Sequence, residues 1–151
     1  MNPLYSQKTY YPDKKSLKND WILVNAEEQV LGRLVSKVAS RLMGKCSPQY
    51  QPGALVGDCV VVVNASKLKI TGDKMEQKSY YRYSGTPGGL KEEKMKTLFQ
   101  RAPEQVFLRA LKGMLPKTRY GRKLLRRVRV HAEANHKLDA QKPVEVAINE
   151  L

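Results

Sequence analysis

The run of four valines from Val60 to Val63 limits what this chain can fold into more than any other segment does. β-branched side chains favour strands, and a strand whose residues do not alternate between apolar and polar must be covered on both faces. Such strands are typical of parallel sheets with helices packed on them. The run therefore predicts an α/β fold with Val61 in a buried central strand.

Apolar periodicity elsewhere supplies the remaining core elements. Trp21 to Val24 is a short apolar run that predicts another strand, and it precedes apolar residues at helical spacing up to Leu42, where Gly44 stops the pattern. Pro103 suits a first helical turn, and the apolar period that follows it lasts until Pro116. Residues 67–70 and 79–83 are predicted to be extended.

The length of 151 residues, or 17.2 kDa, suits one core with short tails. We predict an N-terminal arm over residues 1–20, a core domain over 21–131 and a C-terminal tail over 132–151. The predicted fold class is α/β, a single domain with a mainly parallel sheet and helices on both faces, plus the arm and the tail. Because the tail has few apolar residues, we expect the core to fold without it.

No apolar stretch approaches the roughly 18 residues of a membrane span, and the N-terminus has no apolar leader region. Two cysteines, Cys46 and Cys59, are too few for a disulfide scaffold. We therefore expect a protein without a membrane partner, in a reducing compartment.

Positive charge is concentrated in one part of the chain. There are 28 lysines and arginines against 14 acidic residues, a net charge of +14, and the 30 residues from 101 to 130 carry ten cations and only Glu104. Such a bias produces self-repulsion unless an anionic partner relieves it. Polyphosphate, and hence nucleic acid, is the partner that this pattern favours.

The strongest cluster, from Lys117 to Arg129, contains no acidic residue. If Gly121 to Val128 is helical, four cations occupy one side and three apolar residues the other, which would separate a binding face from an anchoring face. The alternative is a solvated charged face, but such faces usually interleave acids for pairing between successive turns. Nucleic-acid contact is the favoured interpretation.

Lys78 to Tyr83 mixes cations with aromatic rings, which could stack on unpaired bases. Packing of the tyrosines on a sheet with their hydroxyls at the rim explains the pattern equally well. The glycine-rich segment from Gly85 to Gly89 lacks the spacing of a P-loop and is predicted to be a turn.

Enzymatic and metal-binding constellations are missing from the sequence. Cys46 and Cys59 are spaced too widely for a zinc ligand pair, and the pair His131 and His136 has no partner pair. No serine lies in a nucleophile elbow. We expect no catalytic residue, no metal, no cofactor and no small-molecule substrate.

The segment from Leu111 to Arg122, Leu-Lys-Gly-Met-Leu-Pro-Lys-Thr-Arg-Tyr-Gly-Arg, resembles the signature of the bacterial-type thirteenth protein of the large ribosomal subunit. Further blocks that resemble this family, in the family's order, include Trp21-Ile-Leu-Val-Asn-Ala, Gly57-Asp-Cys-Val-Val-Val-Val-Asn-Ala and Tyr80-Tyr-Arg-Tyr-Ser-Gly-Thr-Pro-Gly-Gly-Leu-Lys, so that residues 20–130 are covered. The resemblance implies an α/β fold, no enzymatic activity, direct binding to large-subunit ribosomal RNA and a role in early subunit assembly. The chain departs from the family at His131-Ala-Glu, and at Gln51-Pro-Gly it lacks the family's histidine.

We predict a structural protein of the large ribosomal subunit, whose partners are its ribosomal RNA and neighbouring ribosomal proteins, on a cytoplasmic or an organellar ribosome. The expected principal phosphate contacts are Lys112, Lys117, Arg119, Arg122, Lys123, Arg126 and Arg127. The expected secondary contacts are Arg33, Lys37, Arg41, Lys45, Lys78 and Arg82, with Tyr81 as a stacking residue. A DNA-binding protein and a nucleotide-handling enzyme are the alternatives, which RNA-over-DNA competition and nucleotide hydrolysis respectively would reveal.

Overall fold

A computed structural model describes residues 11–13, 17 and 19–148, and the structural statements below concern those residues. Within those residues, six strands and five α-helices follow one another. They are β1 (Trp21–Asn25), α1 (Leu31–Met43), β2 (Cys59–Val63), α2 (Lys74–Gln77), β3 (Ser79–Tyr83), β4 (Leu90–Lys94), α3 (Met95–Arg101), α4 (Pro103–Met114), α5 (Arg119–Leu125), β5 (Val128–Val130) and β6 (Val144–Glu145).

Four parallel strands form the central sheet in the order β5-β2-β1-β6. The valine strand β2 lies between β1 and β5, so that Val61 is aligned with Leu23 on one side and Arg129 on the other. Val60, Val61 and Val62 are fully buried. The predicted α/β class with a mainly parallel sheet is confirmed, and so is the central position of the valine run.

Helices α1 and α4 supply most of the core that packs on the sheet. Leu34, Val38 and Leu42 of α1 are buried with Phe107 and Leu111 of α4. The predicted stop at the end of α1 is confirmed, because Gly44 adopts a left-handed conformation with φ of 77° and its N–H donates to Arg41. Pro103 occupies the predicted first turn of α4.

Strands β3 and β4 form a separate antiparallel hairpin, in which Ser79 pairs with Lys94 and Tyr83 with Leu90. The extended segment 79–83 is therefore confirmed, with a strand partner that the sequence did not reveal. Helix α3 follows β4 directly, and Met95 and Leu98 form a small second cluster with Val106 of α4.

The predicted strand at residues 67–70 is wrong. The chain forms a 3-10 turn at Ala65–Lys67, and Lys69 makes only a single parallel bridge to Val30. The alternation of exposed Lys69 with buried Leu68 is present, but the chain turns at Gly72, where φ is 66°, before a second pair can form.

The C-terminal tail contributes to the sheet. Strand β6 pairs with β1 at its outer edge, the N–H of Val146 donates to the carbonyl of Leu23 at 3.0 Å, and Val146 and Ile148 pack against the core. These contacts therefore do not support the expectation that the core folds without the tail. The boundary at residue 131 stays a prediction, and residues 1–10, 14–16 and 18 of the predicted arm lie outside the described residues.

Candidate nucleic-acid interface

The cationic segment from Lys117 to Arg129 is built from three elements, not from one helix. The hydroxyl of Thr118 caps α5 by accepting from the N–H of Gly121 at 3.5 Å, and α5 ends at Leu125. Arg126 and Arg127 form a turn, and Val128 begins β5. The helix considered as far as Val128 therefore ends at Leu125. Leu124 and Val128 are both buried, but they lie in different elements, and helical spacing in the sequence cannot distinguish this arrangement from one helix.

Six of the seven predicted principal contacts have exposed side chains: Lys112, Lys117, Arg119, Arg122, Lys123 and Arg126. Within the part of the chain that the structure describes, no carboxylate lies within 4.0 Å of any of these cations. They are therefore available to an external anion. We call these six side chains the cationic surface.

Arg127 differs from the other six because its guanidinium turns inward. Its Nη1 donates to the carbonyl oxygens of Gly57 at 2.5 Å and Leu55 at 3.2 Å, and to Asn19 Oδ1 at 3.3 Å. The residue lies in the turn after α5. These bonds hold the loop before β2 against β5, and Arg127 is not part of the cationic surface.

The four predicted secondary contacts on α1 and just beyond it divide in the same way. Arg33 and Lys45 are exposed. Lys37 Nζ donates to the carbonyl of Ile148 at 2.7 Å, and Arg41 Nε forms an ion pair with Asp58 at 2.8 Å. Lys37 and Arg41 therefore tie the C-terminal tail and the loop before β2 to α1.

The tyrosines of the hairpin lie in two different environments. Tyr80 is half-buried beside the second cluster, and Arg109 and Lys78 lie 4.6 Å and 5.5 Å from the centre of its ring. Burial raises the pKa of Tyr80, although Arg109 opposes that effect. Tyr81 and Tyr83 are 65% and 62% exposed and Arg82 is exposed, so an unpaired base could reach these three members of β3.

A cleft between the end of α4 and the start of α5 joins three members of the cationic surface. It has a volume of about 570 Å³, and Lys112, Lys117 and Arg122 lie around it. Arg109, which sequence reasoning missed, also lines it. The sequence signal that could have identified Arg109 is its position three residues before Lys112 on the same helix, because residues at that spacing share a face. Arg119 and Lys123 instead line a second cleft, together with Tyr120 and Arg127.

Two of the residues that suggested other chemistry, His136 and Cys59, have local environments that disfavour it. His136 Nδ1 accepts from the N–H of Leu138 at 3.0 Å, and burial raises the pKa of the Cys59 thiol, which disfavours the reactive thiolate. Among the described residues, His, Cys, Asp and Glu form no group of three or more that could hold a metal ion. No helix in the described ranges is both long and apolar enough to cross a bilayer.

Comparison with known proteins identifies similar chains. The family model described as ribosomal protein L13 matches residues 19–137. The protein named large ribosomal subunit protein uL13 from Thermosipho africanus is 50% identical over 140 residues, which cover 93% of this chain and 94% of that protein. Proteins of the same name from Lawsonia intracellularis and Prochlorococcus marinus are 44% and 47% identical, over 93% and 94% of this chain and 98% and 95% of their own lengths.

Proposed function

The chain belongs to the ribosomal protein L13 family, and from that premise we propose that it binds large-subunit ribosomal RNA directly and supports early assembly of the subunit. The family consists of structural ribosomal proteins, so the protein is not an enzyme. The nucleotide-handling enzyme considered above is thereby set aside.

The cationic surface is the observation that carries the proposal. Six exposed cations extend from the last turn of α4 over α5 to the following turn, with no carboxylate partner among the described residues. Arginine donates two hydrogen bonds in one plane to a phosphate, and lysine adds a point charge. Binding of phosphates at these positions releases counterions from the RNA, which supplies much of the affinity.

The anchoring of α5 explains how the surface could organise RNA. Leu124 of α5 and Val128 of β5 are buried in the core shared with α1 and α4, and Gly121 is packed against Pro116. The cations therefore project from a body whose backbone positions are fixed. Such a body can hold RNA segments in register through phosphate contacts, without reading the base sequence.

The proposal includes neighbouring ribosomal proteins as further partners, and the ribosome as the location. The exposed Tyr83 and Leu90 at the end of the hairpin support a second contact of this kind, because they are large apolar side chains that are 62% and 61% exposed.

Competition between nucleic acids tests direct RNA binding. The labelled probe is the large-subunit ribosomal RNA of Thermosipho africanus, and the competitors are unlabelled RNA of that sequence and duplex DNA of equal length. We expect RNA to compete at much lower concentration, since shape and 2′-hydroxyl contacts distinguish it from DNA. Equal competition by DNA would instead support a general DNA-binding protein.

Reconstitution tests the assembly role. Large-subunit particles are rebuilt from purified components, with this protein added at the start, added last or omitted. We expect the protein to co-sediment with particles through high salt when it is added first, and particles without it to accumulate as slower-sedimenting species. Normal particles in its absence would contradict an assembly role while leaving RNA binding untouched.

A further inference from the structure

We propose that the cleft between α4 and α5 binds one unstacked nucleotide of the ribosomal RNA, with the base against its apolar wall and the phosphate among its cations. The inference deepens the proposed function and rests on it. The inference goes beyond the proposed function, because phosphate contacts alone need only an exposed surface, whereas this cleft is concave.

The cleft exists because α5 begins close to the chain that leaves α4. A Cβ on Gly121 would lie 1.8 Å from the carbonyl oxygen of Pro116, so only glycine allows this approach. Leu115, which is 4% exposed, is also part of the lining. The volume of about 570 Å³ lies within the range of about 300–1,000 Å³ that is usual for sites holding small ligands.

The chemistry of the lining selects the ligand. Leu115, Pro116 and Leu125 give it an apolar wall, and four cations surround them, with no acidic residue among the described residues that line the cleft. A nucleotide combines the two complementary parts, a flat base with an apolar face and a phosphate. The convex backbone of a duplex could touch the cations but could not enter the cleft, so the nucleotide must come from a loop, a bulge or an end.

A path for the adjoining nucleotides supports RNA over a protein segment. Arg109 lines the cleft and also a groove of about 400 Å³ beside the hairpin, where Tyr81, Arg82 and Lys91 lie together with two carboxylates. Of these carboxylates, Glu93 is paired with Arg101 at 2.6 Å and Glu92 accepts from the Tyr81 hydroxyl at 3.3 Å. A single strand that leaves the cleft past Arg109 therefore reaches an exposed aromatic ring and further cations. This alternation of charge and aromatic surface is typical of sites for single-stranded RNA.

Gly113 allows the cleft to be filled without removing charge. It lies in α4 and lines the cleft, and a Cβ added there meets no atom within 4 Å. Gly113→Leu therefore places a side chain in the cleft while it improves helix propensity. Gly32→Leu is the matched control, because Gly32 lies in α1 with nothing within 4 Å of an added Cβ and does not line the cleft.

The experiment footprints both variants and the unaltered protein on the large-subunit ribosomal RNA of Thermosipho africanus, with one reagent for unpaired bases and one for the backbone. We expect the unaltered protein and Gly32→Leu to protect at least one unpaired base. Gly113→Leu should lose that base protection, keep the backbone footprint and raise the Kd about tenfold, which corresponds to about 1.4 kcal/mol.

Several results would overturn the inference. If base protection survives in Gly113→Leu, the protected base does not lie in the cleft. If Gly113→Leu loses the whole backbone footprint, the substitution weakens RNA binding in general and does not report on a single pocket. A rise in melting temperature with AMP that is absent from Gly113→Leu, combined with base protection that this variant keeps, would assign the cleft to free nucleotides instead of the RNA. Unchanged footprints combined with exclusion of Gly113→Leu from assembled subunits would assign it to a protein segment. No footprint from the unaltered protein would contradict the proposed function itself.

Discussion

Two glycines near the cleft have opposite structural requirements. Gly121 is packed against the Pro116 carbonyl, whereas Gly113 faces open space. We expect Gly121→Ala to lower the free energy of unfolding by about 2 kcal/mol, because backbone must move to admit the methyl group. Gly113→Ala should raise it by about 0.5–1 kcal/mol through helix propensity. Chemical denaturation checks the pair, and equal effects would show that the close approach of α5 is not needed.

The neighbouring residues Arg126 and Arg127, which follow α5, are expected to have different roles, one in RNA binding and the other in stability. Arg127→Gln removes hydrogen bonds to the carbonyls of Gly57 and Leu55, so we expect a loss of about 2 kcal/mol of stability. Arg126→Gln removes an exposed charge and should change stability by less than about 0.5 kcal/mol while weakening RNA binding. Thermal melts and RNA titrations of both variants measure this. Unchanged stability of Arg127→Gln together with weakened RNA binding would return Arg127 to the cationic surface.

At the scale of elements, the valine strand is the feature on which the core depends. Val61 is fully buried between β1 and β5, so Val61→Asp would bury an unpaired carboxylate at a cost of several kcal/mol. Against a total stability of about 5–15 kcal/mol, we expect the domain to unfold. Val144→Asp is the control, because Val144 is a strand residue that is 63% exposed. Native-like circular dichroism of Val61→Asp would contradict the strand's central role.

Because β6 pairs with β1, we expect removal of the end of the tail to lower the stability of the fold. Deletion of residues 143–151 removes the pairing with β1, the bond from Lys37 to Ile148 and the packing of Val146. We expect a loss of about 1 kcal/mol, or about 3 °C in melting temperature for a chain of this size. Calorimetry of the shortened chain measures it. An unchanged melting temperature would show that residues 143–151 are dispensable, as composition predicted for the whole tail from residue 132.

The sequence predicted those elements whose own residues are buried in a regular pattern. β1, α1, β2 and α4 all have such patterns. It missed β4, whose residues Leu90 to Lys94 are mostly polar and are extended only because β3 pairs with them. The sequence pattern was also insufficient after α5. The spacing of Leu124 and Val128 fits one helix, but Leu124 lies in α5 and Val128 lies in β5, with a turn between them.

At the scale of the whole molecule, charge located the candidate surface but not its boundaries. Counting cations identified residues 101–130, and six of the seven principal predictions are exposed there. Counting could not show that Arg127, Lys37 and Arg41 bond to other parts of the chain, because their partners are distant in sequence. The cleft was equally out of reach, since it depends on the close approach of α5 to Pro116.

The central claim is that the cationic surface contacts RNA phosphates, and the salt dependence of binding tests it most directly. The variant Arg122→Gln/Lys123→Gln/Arg126→Gln removes three charges from the surface. The control Lys74→Gln/Lys94→Gln/Lys96→Gln removes three exposed lysines elsewhere, so both variants have the same net charge. Both should show native circular dichroism, because none of these side chains is buried.

The measurement is the slope of log affinity against log salt concentration for the large-subunit ribosomal RNA. Each lost phosphate contact should make the slope shallower by somewhat less than one unit. We predict that the surface variant becomes shallower by about 2 units and that the control keeps the slope of the unaltered protein. An unchanged slope in the surface variant, or an equal change in the control, would contradict the claim.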